Sequence, residues 1–126
     1  MAKAASAGEA KPLGIYVHIP FCRSKCQYCD FYSLGGGRNS ELMRDYLSGL
    51  LQHIREAAAR APGYIVDTIY FGGGTPSFYG VSNCKRILAE IQRRFHVARE
   101  AEITLEANPD SVTPRGMHAL VRAGFN

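Results

Sequence analysis

The sequence predicts an α/β fold in which three parallel strands and three helices form part of a (βα) barrel. Segments with a period of two alternate along the chain with longer segments at helical spacing, in the order strand, helix, strand, helix, strand, helix. Helical crossovers of this kind join strands of one parallel sheet and are right-handed. Glycine- and proline-rich segments separate the elements. Because three strands leave an open sheet edge, we expect the first three βα units of a longer barrel.

The first strand is predicted over residues 13–19, LGIYVHI, where aliphatic residues alternate with Tyr16 and His18. Residues 1–12 are small, polar and alanine-rich, which predicts a disordered leader before a domain over residues 13–126. The leader lacks the apolar core of a secretory signal, and no apolar run in the sequence is long enough to span a membrane. We therefore expect a cytoplasmic protein in a reducing compartment.

The first helix follows a glycine-rich linker and begins at Ser40, which suits an N-cap. Pro62 and Gly63 end its pattern, and the second strand follows over residues 64–71, YIVDTIYF, before GGGTP breaks it. The apolar stripe of this helix comprises Leu42, Met43, Tyr46, Leu47, Leu50, Leu51 and Ile54.

The second helix is predicted from about Ser82, and the third strand covers residues 102–107, EITLEA. The turn NPDSVTP then leads into the third helix, with Thr113 as N-cap, Pro114 at the first helical position and Gly124 at the C-terminal end. The apolar face of the second helix comprises Cys84, Ile87, Leu88, Ile91 and Phe95. The third helix carries Met117, Leu120 and Val121.

The composition is that of a globular protein, with 46% hydrophobic and 21% charged residues. The net charge of +4 comes from scattered lysines and arginines, and no dense basic run occurs. This pattern is typical of a solvated surface, so we expect no nucleic-acid partner.

Three of the four cysteines lie directly after the first strand, at the spacing C-x3-C-x2-C: Cys22, Cys26 and Cys29. Three thiolates can hold three irons of a cubane cluster and leave the fourth iron open to a small molecule. Two alternatives remain at this point, a zinc site with His18 as fourth ligand and a cysteine cluster without metal. Cys84 falls on an apolar helix face, which predicts a residue of the core.

Three blocks carry a resemblance to a known family: YVHIPFCRSKCQYCDF, YFGGGTPS and EANPDS, in this order. The first contains the cysteine signature of the radical S-adenosylmethionine (radical SAM) superfamily. Together the blocks resemble the oxygen-independent coproporphyrinogen III oxidase family, which includes the heme chaperone HemW. The resemblance implies the first part of a radical SAM core barrel. It also implies a [4Fe–4S] cluster whose open iron chelates S-adenosylmethionine and whose electron cleaves it to a 5′-deoxyadenosyl radical.

The resemblance assigns roles to individual residues. It implies that Cys22, Cys26 and Cys29 are the cluster ligands. It implies that S-adenosylmethionine is contacted by Tyr16, Tyr28, Gly73, Gly74, Thr75 and Glu106, with the glycine loop at the amino group, Glu106 at the ribose and Tyr28 beside the adenine. From the residues alone, the glycines leave room for the backbone to approach a ligand or simply form a tight turn. Likewise, Glu106 either accepts hydrogen bonds from a diol or lies on the surface, and the tyrosines either bind or pack.

The branch of the family depends on one position. The oxidase has a further cysteine two residues after the third cluster ligand, where this chain has Phe31, so the sequence is more similar to the heme chaperone branch. The resemblance then implies porphyrinogen or heme as partner and an electron donor such as flavodoxin or ferredoxin. If the protein is catalytic, it implies an oxidoreductase of the coproporphyrinogen III dehydrogenase type. A zinc-structured binding module is the remaining alternative.

Overall fold

The computed structural model describes residues 10–21 and 40–126. The cysteine segment and most of the predicted leader lie outside these residues. The elements in chain order are β1 (Lys11–Ile19), α1 (Ser40–Ala59), β2 (Tyr64–Gly73), α2 (Pro76–Tyr79), α3 (Val81–Arg94), β3 (Val97–Leu105), a 3₁₀ turn (Pro109–Ser111) and α4 (Pro114–Ala123). In the described part of the chain, no helix combines the length and apolarity needed to cross a membrane.

The sheet confirms the predicted fold class. Its strand order is β1-β2-β3, and both pairs of neighbours are parallel. The strands begin earlier than the side-chain pattern predicts: β1 includes Lys11 and Pro12, which the sequence placed in the leader, and β3 starts at Val97. The reason is pairing with β2, since Lys11 and Pro12 lie opposite Tyr64 and Ile65. Backbone pairing needs no alternation of side chains.

The core lies on the face of the sheet that the helices cover. Val17, Ile69 and Phe71 are 3%, 1% and 0% exposed there, whereas Tyr16 and Tyr70 on the opposite face are 56% and 41% exposed. Successive strand residues point to opposite faces, so each strand contributes to a buried face and to an open face of the sheet. The open face corresponds to the interior of the predicted barrel.

The helical stripes mostly confirm the sequence reading. In α3 the predicted apolar face is buried throughout. Cys84 is fully buried, and its Sγ donates to the Pro76 carbonyl at 3.4 Å. Burial raises the pKa of this thiol to about 12, which keeps it protonated and confirms its place in the core. In α1, Leu42 is the exception to the buried stripe and is 42% exposed.

Both predicted caps of the last helix are present. The Thr113 side chain accepts a hydrogen bond from the Gly116 amide at 3.0 Å. Gly124 has a φ of +126° and donates to the carbonyls of Leu120 and Val121, the positive φ that favours glycine there. Leu120 is buried as expected. Met117 and Val121 are 46% and 63% exposed and border an open apolar cleft along the outer edge of β3.

A buried carboxylate joins α1 to α3. Glu90 is 4% exposed, and the Nε atoms of Arg94 and Arg55 donate to its Oε2 at 2.8 and 3.0 Å, while Arg93 donates to its Oε1. These hydrogen bonds, of which that from Arg94 has the largest effect, lower the pKa of Glu90 from 4.5 to about 2. The carboxylate therefore stays charged in the folded protein well below its ordinary pKa.

Glu90→Gln is expected to lower the melting temperature at neutral pH, because three guanidinium groups then surround an uncharged side chain. Since the pKa of Glu90 is lower in the folded state, its stabilisation is complete above about pH 4.5 and is lost as the pH falls towards 2. The difference from wild type should therefore shrink across this range in thermal unfolding at a series of pH values. Exposed Glu100 gives the control, Glu100→Gln. A difference that does not change with pH would contradict the prediction.

Candidate functional site

The open face of the sheet carries polar and aromatic side chains in rows across the strands. Tyr16 of β1 lies opposite Tyr70 of β2, which in turn lies opposite Thr104 of β3. One step towards the carboxyl ends, His18 lies opposite Gly72. The carboxyl ends of parallel strands meet at one edge, where α/β folds place their ligands.

Three of these side chains, Tyr16, His18 and Tyr70, form a connected group with Glu106, which follows β3. The Tyr70 hydroxyl donates to Glu106 Oε2 at 2.6 Å, and the Tyr70 and Tyr16 rings stack with centroids 6.1 Å apart at 21°. The Tyr16 hydroxyl lies 3.1 Å from His18 Nδ1. The hydrogen bond to Glu106 raises the pKa of Tyr70, while burial and then the Glu106 charge raise that of Tyr16. Both tyrosines are therefore neutral donors at neutral pH.

The glycine loop, which comprises Gly73, Gly74 and Thr75 at the end of β2, is hydrogen-bonded to the end of β1 and to Phe21. The Gly74 amide donates to the Ile19 carbonyl and the Thr75 amide to the Phe21 carbonyl, both at 2.7 Å. A Cβ atom at Gly74 would lie 2.6 Å from the Phe21 oxygen, and one at Gly73, where φ is +111°, would lie 2.7 Å from the His18 ring. The space left by the absent side chains of Gly73 and Gly74 is thus occupied by the His18 ring and by the backbone of Ile19 and Phe21.

An aromatic cluster fixes the residue that immediately precedes the cysteine segment. The Phe21 ring stacks on Tyr79 with centroids 5.0 Å apart and meets the edge of Tyr46 at 5.5 Å. The Tyr46 hydroxyl donates to the His18 carbonyl, and the Tyr79 hydroxyl to the Met43 carbonyl at 2.7 Å. Helices α1 and α2 therefore hold the end of β1 from one side while the glycine loop holds it from the other.

A buried serine links the glycine loop to the segment that follows Glu106. Ser77 is 3% exposed, and its Oγ accepts from the Asn108 amide at 3.0 Å and bonds the Ser111 hydroxyl. Asn108 also accepts from the Asp110 amide at 2.9 Å, which confirms that Asn108, Pro109 and Asp110 shape the turn. An open cleft of about 340 Å³ lies between the two loops, bordered by Thr75 and Asn108.

Of the predicted site residues, the structure places Tyr16, Gly73, Gly74, Thr75 and Glu106 towards the carboxyl end of the sheet. The other predicted site residues lie outside the described residues: Cys22, Cys26, Tyr28 and Cys29. Within the described part of the chain, no cluster of three or more His, Cys, Asp or Glu side chains could hold a metal.

Sequence reasoning missed Tyr70 and Ser77, and it placed Gly72 among the glycines that end the second strand without assigning it to the site. The period-two pattern of β2 places Tyr70 on the face that carries Tyr16 one strand away, and this signal could have found it. The close approach at Gly72 depends on the register between strands, which the sequence does not state: a Cβ there would lie 2.8 Å from the Tyr70 ring and 3.2 Å from Glu106 Oε1. Ser77 follows Pro76 in the short helix α2 and has no sequence signal of its own.

Comparison with known proteins gives relatives that match most of this chain. The heme chaperone HemW of Escherichia coli K12 is 40% identical over 117 residues, which is 91% of this chain and 30% of the relative. HemW of Mycobacterium tuberculosis H37Rv is 35% identical over 116 residues, with the same shares. The oxygen-independent coproporphyrinogen III oxidase of Salmonella typhimurium is 32% identical over 116 residues, 92% of this chain and 25% of the relative. The chain thus spans about 30% of the length of these HemW relatives.

The fold agrees with that of a solved structure. Coproporphyrinogen III oxidase (HemN) from Escherichia coli, a radical SAM enzyme, superposes with a TM-score of 0.86 and 30% identity, over 94% of this chain and 27% of that one. Residues 16–126 match the Radical SAM superfamily. Because this match extends from the middle of β1 to the last residue and includes every strand end described above, the chain belongs to the radical SAM superfamily.

Proposed function

We propose that the full-length protein binds a [4Fe–4S] cluster through Cys22, Cys26 and Cys29, and S-adenosylmethionine at the open iron. One observation carries the proposal: the glycine loop is bonded to Phe21, the residue directly before Cys22, at the same sheet edge as Tyr16 and Glu106. The first of the three proposed cluster ligands, Cys22, thus directly follows a residue that is bonded to the glycine loop, which is proposed to bind S-adenosylmethionine. When bound, the cluster supplies the electron that cleaves S-adenosylmethionine.

The described residues fit this ligand in the chemistry of their donors and acceptors. The amides of Gly74 and Thr75 already donate to the carbonyls of Ile19 and Phe21, so the loop would meet the ammonium group of S-adenosylmethionine through acceptors and not through these amides. The Thr75 hydroxyl makes no capping bond and is a further acceptor. Glu106 is exposed, and a carboxylate suits a ribose diol. Tyr28 is proposed to flank the adenine.

For the physiological role, we propose that the protein is a HemW-like heme chaperone that acts in heme and porphyrin metabolism. Phe31 supports it, because it stands where the oxidase branch has a further cysteine, and the HemW relatives at 40% and 35% identity support it as well. The partners would be heme, or a porphyrinogen, and an electron donor such as flavodoxin or ferredoxin. A true oxygen-independent coproporphyrinogen III oxidase is the second candidate, which the Salmonella typhimurium oxidase at 32% identity favours.

Two measurements on anoxically purified full-length protein test these proposals. About four irons and four sulfides per chain would support the cubane, whereas zinc without sulfide would support a zinc-structured module instead. The protein is then incubated with reductant, S-adenosylmethionine and coproporphyrinogen III, and separately with heme. Decarboxylated porphyrinogen would identify an oxidase, and stable heme binding without product would support the chaperone.

Glu106→Gln is expected to weaken S-adenosylmethionine binding by about tenfold or more and leave the cluster in place, because an amide replaces a charged acceptor. Equilibrium dialysis of the cluster-loaded protein measures the affinity, and iron analysis measures the cluster. The matched control is Glu102→Gln, since Glu102 is exposed on the same face of β3 but opposite Thr68, away from the site. Equal affinities for Glu106→Gln and wild type would remove Glu106 from the site.

A further inference from the structure

Tyr70 occupies an unusual position for a large aromatic residue in this sheet. Its neighbours in β2, Ile69 and Phe71, are buried in the core, and Tyr70 points to the opposite face, where 41% of it is exposed. Its burial therefore gives little reason for a tyrosine at this position. Its contacts on the open face give another reason.

The first of these contacts is the hydrogen bond to Glu106. The distance of 2.6 Å between the Tyr70 hydroxyl and Glu106 Oε2 is typical of an O–H group bonded to a carboxylate, which is stronger than a bond between neutral groups. The Glu106 amide also donates to the carbonyl of Phe71 at 3.0 Å. Two adjacent residues of β2 thus hold Glu106, one by its backbone and the other by its side chain.

The second contact orients the Tyr70 ring. The ring stacks on Tyr16, and it lies so close to β2 that a Cβ atom at Gly72 would be 2.8 Å from Tyr70 Cε1 and 3.2 Å from Glu106 Oε1. A glycine at position 72 is therefore required for this arrangement of Tyr70 and Glu106, although its φ is not in the left-handed region. The arrangement of Tyr70 and Glu106 thus depends on a glycine at position 72.

The hydrogen bond from Tyr70 makes the two oxygens of the Glu106 carboxylate different from each other. Oε2 accepts from Tyr70, whereas Oε1 has no hydrogen-bond donor among the residues that the structure describes. A carboxylate with one oxygen fixed can rotate less about its terminal torsion, which is otherwise broad. The remaining oxygen is then held ready for a donor from outside the chain.

We infer that Tyr70 is a positioning residue that fixes the Glu106 carboxylate so that Oε1 accepts a hydrogen bond from a ribose hydroxyl of S-adenosylmethionine. The inference rests on the proposed function, because it takes the ligand of Glu106 from there. Tyr70 itself acts through Glu106 and through its contact with Tyr16. Its hydroxyl, and not its ring, carries the effect on Glu106.

A double-mutant cycle on the cluster-loaded full-length protein tests this inference. Tyr70→Phe keeps the ring and its stacking, and we expect it to weaken S-adenosylmethionine binding about 3- to 10-fold, the range of one lost hydrogen bond. In the Glu106→Gln background the same substitution should cost less than about twofold, because its partner is already changed. Tyr64→Phe, at the amino end of the same strand, is the control and should bind as wild type does.

A second ligand distinguishes positioning from a general loss of structure. An analogue of S-adenosylmethionine without the two ribose hydroxyls should bind equally to wild type and Tyr70→Phe, whereas a structural defect would weaken both ligands alike. Equal loss on both ligands, or equal loss in the Glu106→Gln background, would overturn the inference. If Glu106→Gln weakens binding but Tyr70→Phe does not, the role of Tyr70 fails and the proposed site stands. If Glu106→Gln has no effect, both fail.

Discussion

Replacing Cys22, Cys26 or Cys29 by alanine in the full-length protein is expected to abolish retention of the iron–sulfur cluster. With three protein thiolates on a four-iron cubane, each replacement leaves a second iron without a protein ligand, and the spacing C-x3-C-x2-C offers no neighbouring thiol as a substitute. Phe21, the residue before Cys22, is held through its ring by Tyr79 and through its carbonyl by the Thr75 amide. Iron and sulfide analysis after anoxic purification measures the loss.

The fourth cysteine in this chain supplies the control for that experiment. Cys84 is fully buried beneath α2 and bonded to the Pro76 carbonyl, and its thiol is protonated at neutral pH. Because thiolates bind iron, Cys84→Ala should keep the full iron content and change only packing. Thermal unfolding of every variant shows whether lost iron follows from lost folding. A loss of iron in Cys84→Ala equal to that in the three others would contradict the assignment of the ligands.

The fold could be predicted because its strongest signals are local. The apolar face of α3 and the two caps of α4 depend on residues three or four positions apart, which the sequence displays directly. The strand starts were predicted less well, since Lys11 and Val97 join the sheet through backbone pairing with β2. The exposure of Met117 likewise depends on what lies beside the outer edge of β3, which helical spacing does not specify.

The candidate site also has residues that local sequence patterns predict and contacts that depend on the assembled sheet. Glu106 and the glycine loop stand in sequence blocks that indicate their place at strand ends, and the structure brings them together there. The hydrogen bond from Tyr70 to Glu106 joins residues 36 positions apart, and no pattern within either strand announces it. The fit of Gly72 beneath that pair also depends on the register of β2 against β3. Such contacts follow from the sheet once it is built.

Gly74→Ala is expected to be the most damaging substitution among the described glycines. The added Cβ would lie 2.6 Å from the oxygen and 2.9 Å from the carbonyl carbon of Phe21, and backbone atoms cannot rotate away as a side chain can. We expect a loss of about 1–3 kcal/mol in the free energy of unfolding, the usual cost of overpacking. The clash also distorts the two hydrogen bonds that the Gly74 and Thr75 amides donate to the carbonyls of Ile19 and Phe21. Because Cys22 follows Phe21, iron content and S-adenosylmethionine affinity should both fall.

Gly49 gives a matched control for this substitution. It lies on the exposed side of α1, with nothing within 4 Å of an added Cβ, so Gly49→Ala should stabilise the helix by up to about 1 kcal/mol and leave the cluster unchanged. Urea unfolding, iron analysis and ligand dialysis of the two variants separate the effect of the added methyl group from the effect of its position. If Gly74→Ala kept wild-type stability and bound S-adenosylmethionine normally, the bond between the glycine loop and Phe21 would not support the site. The glycine loop would then have to act on the ligand independently of β1.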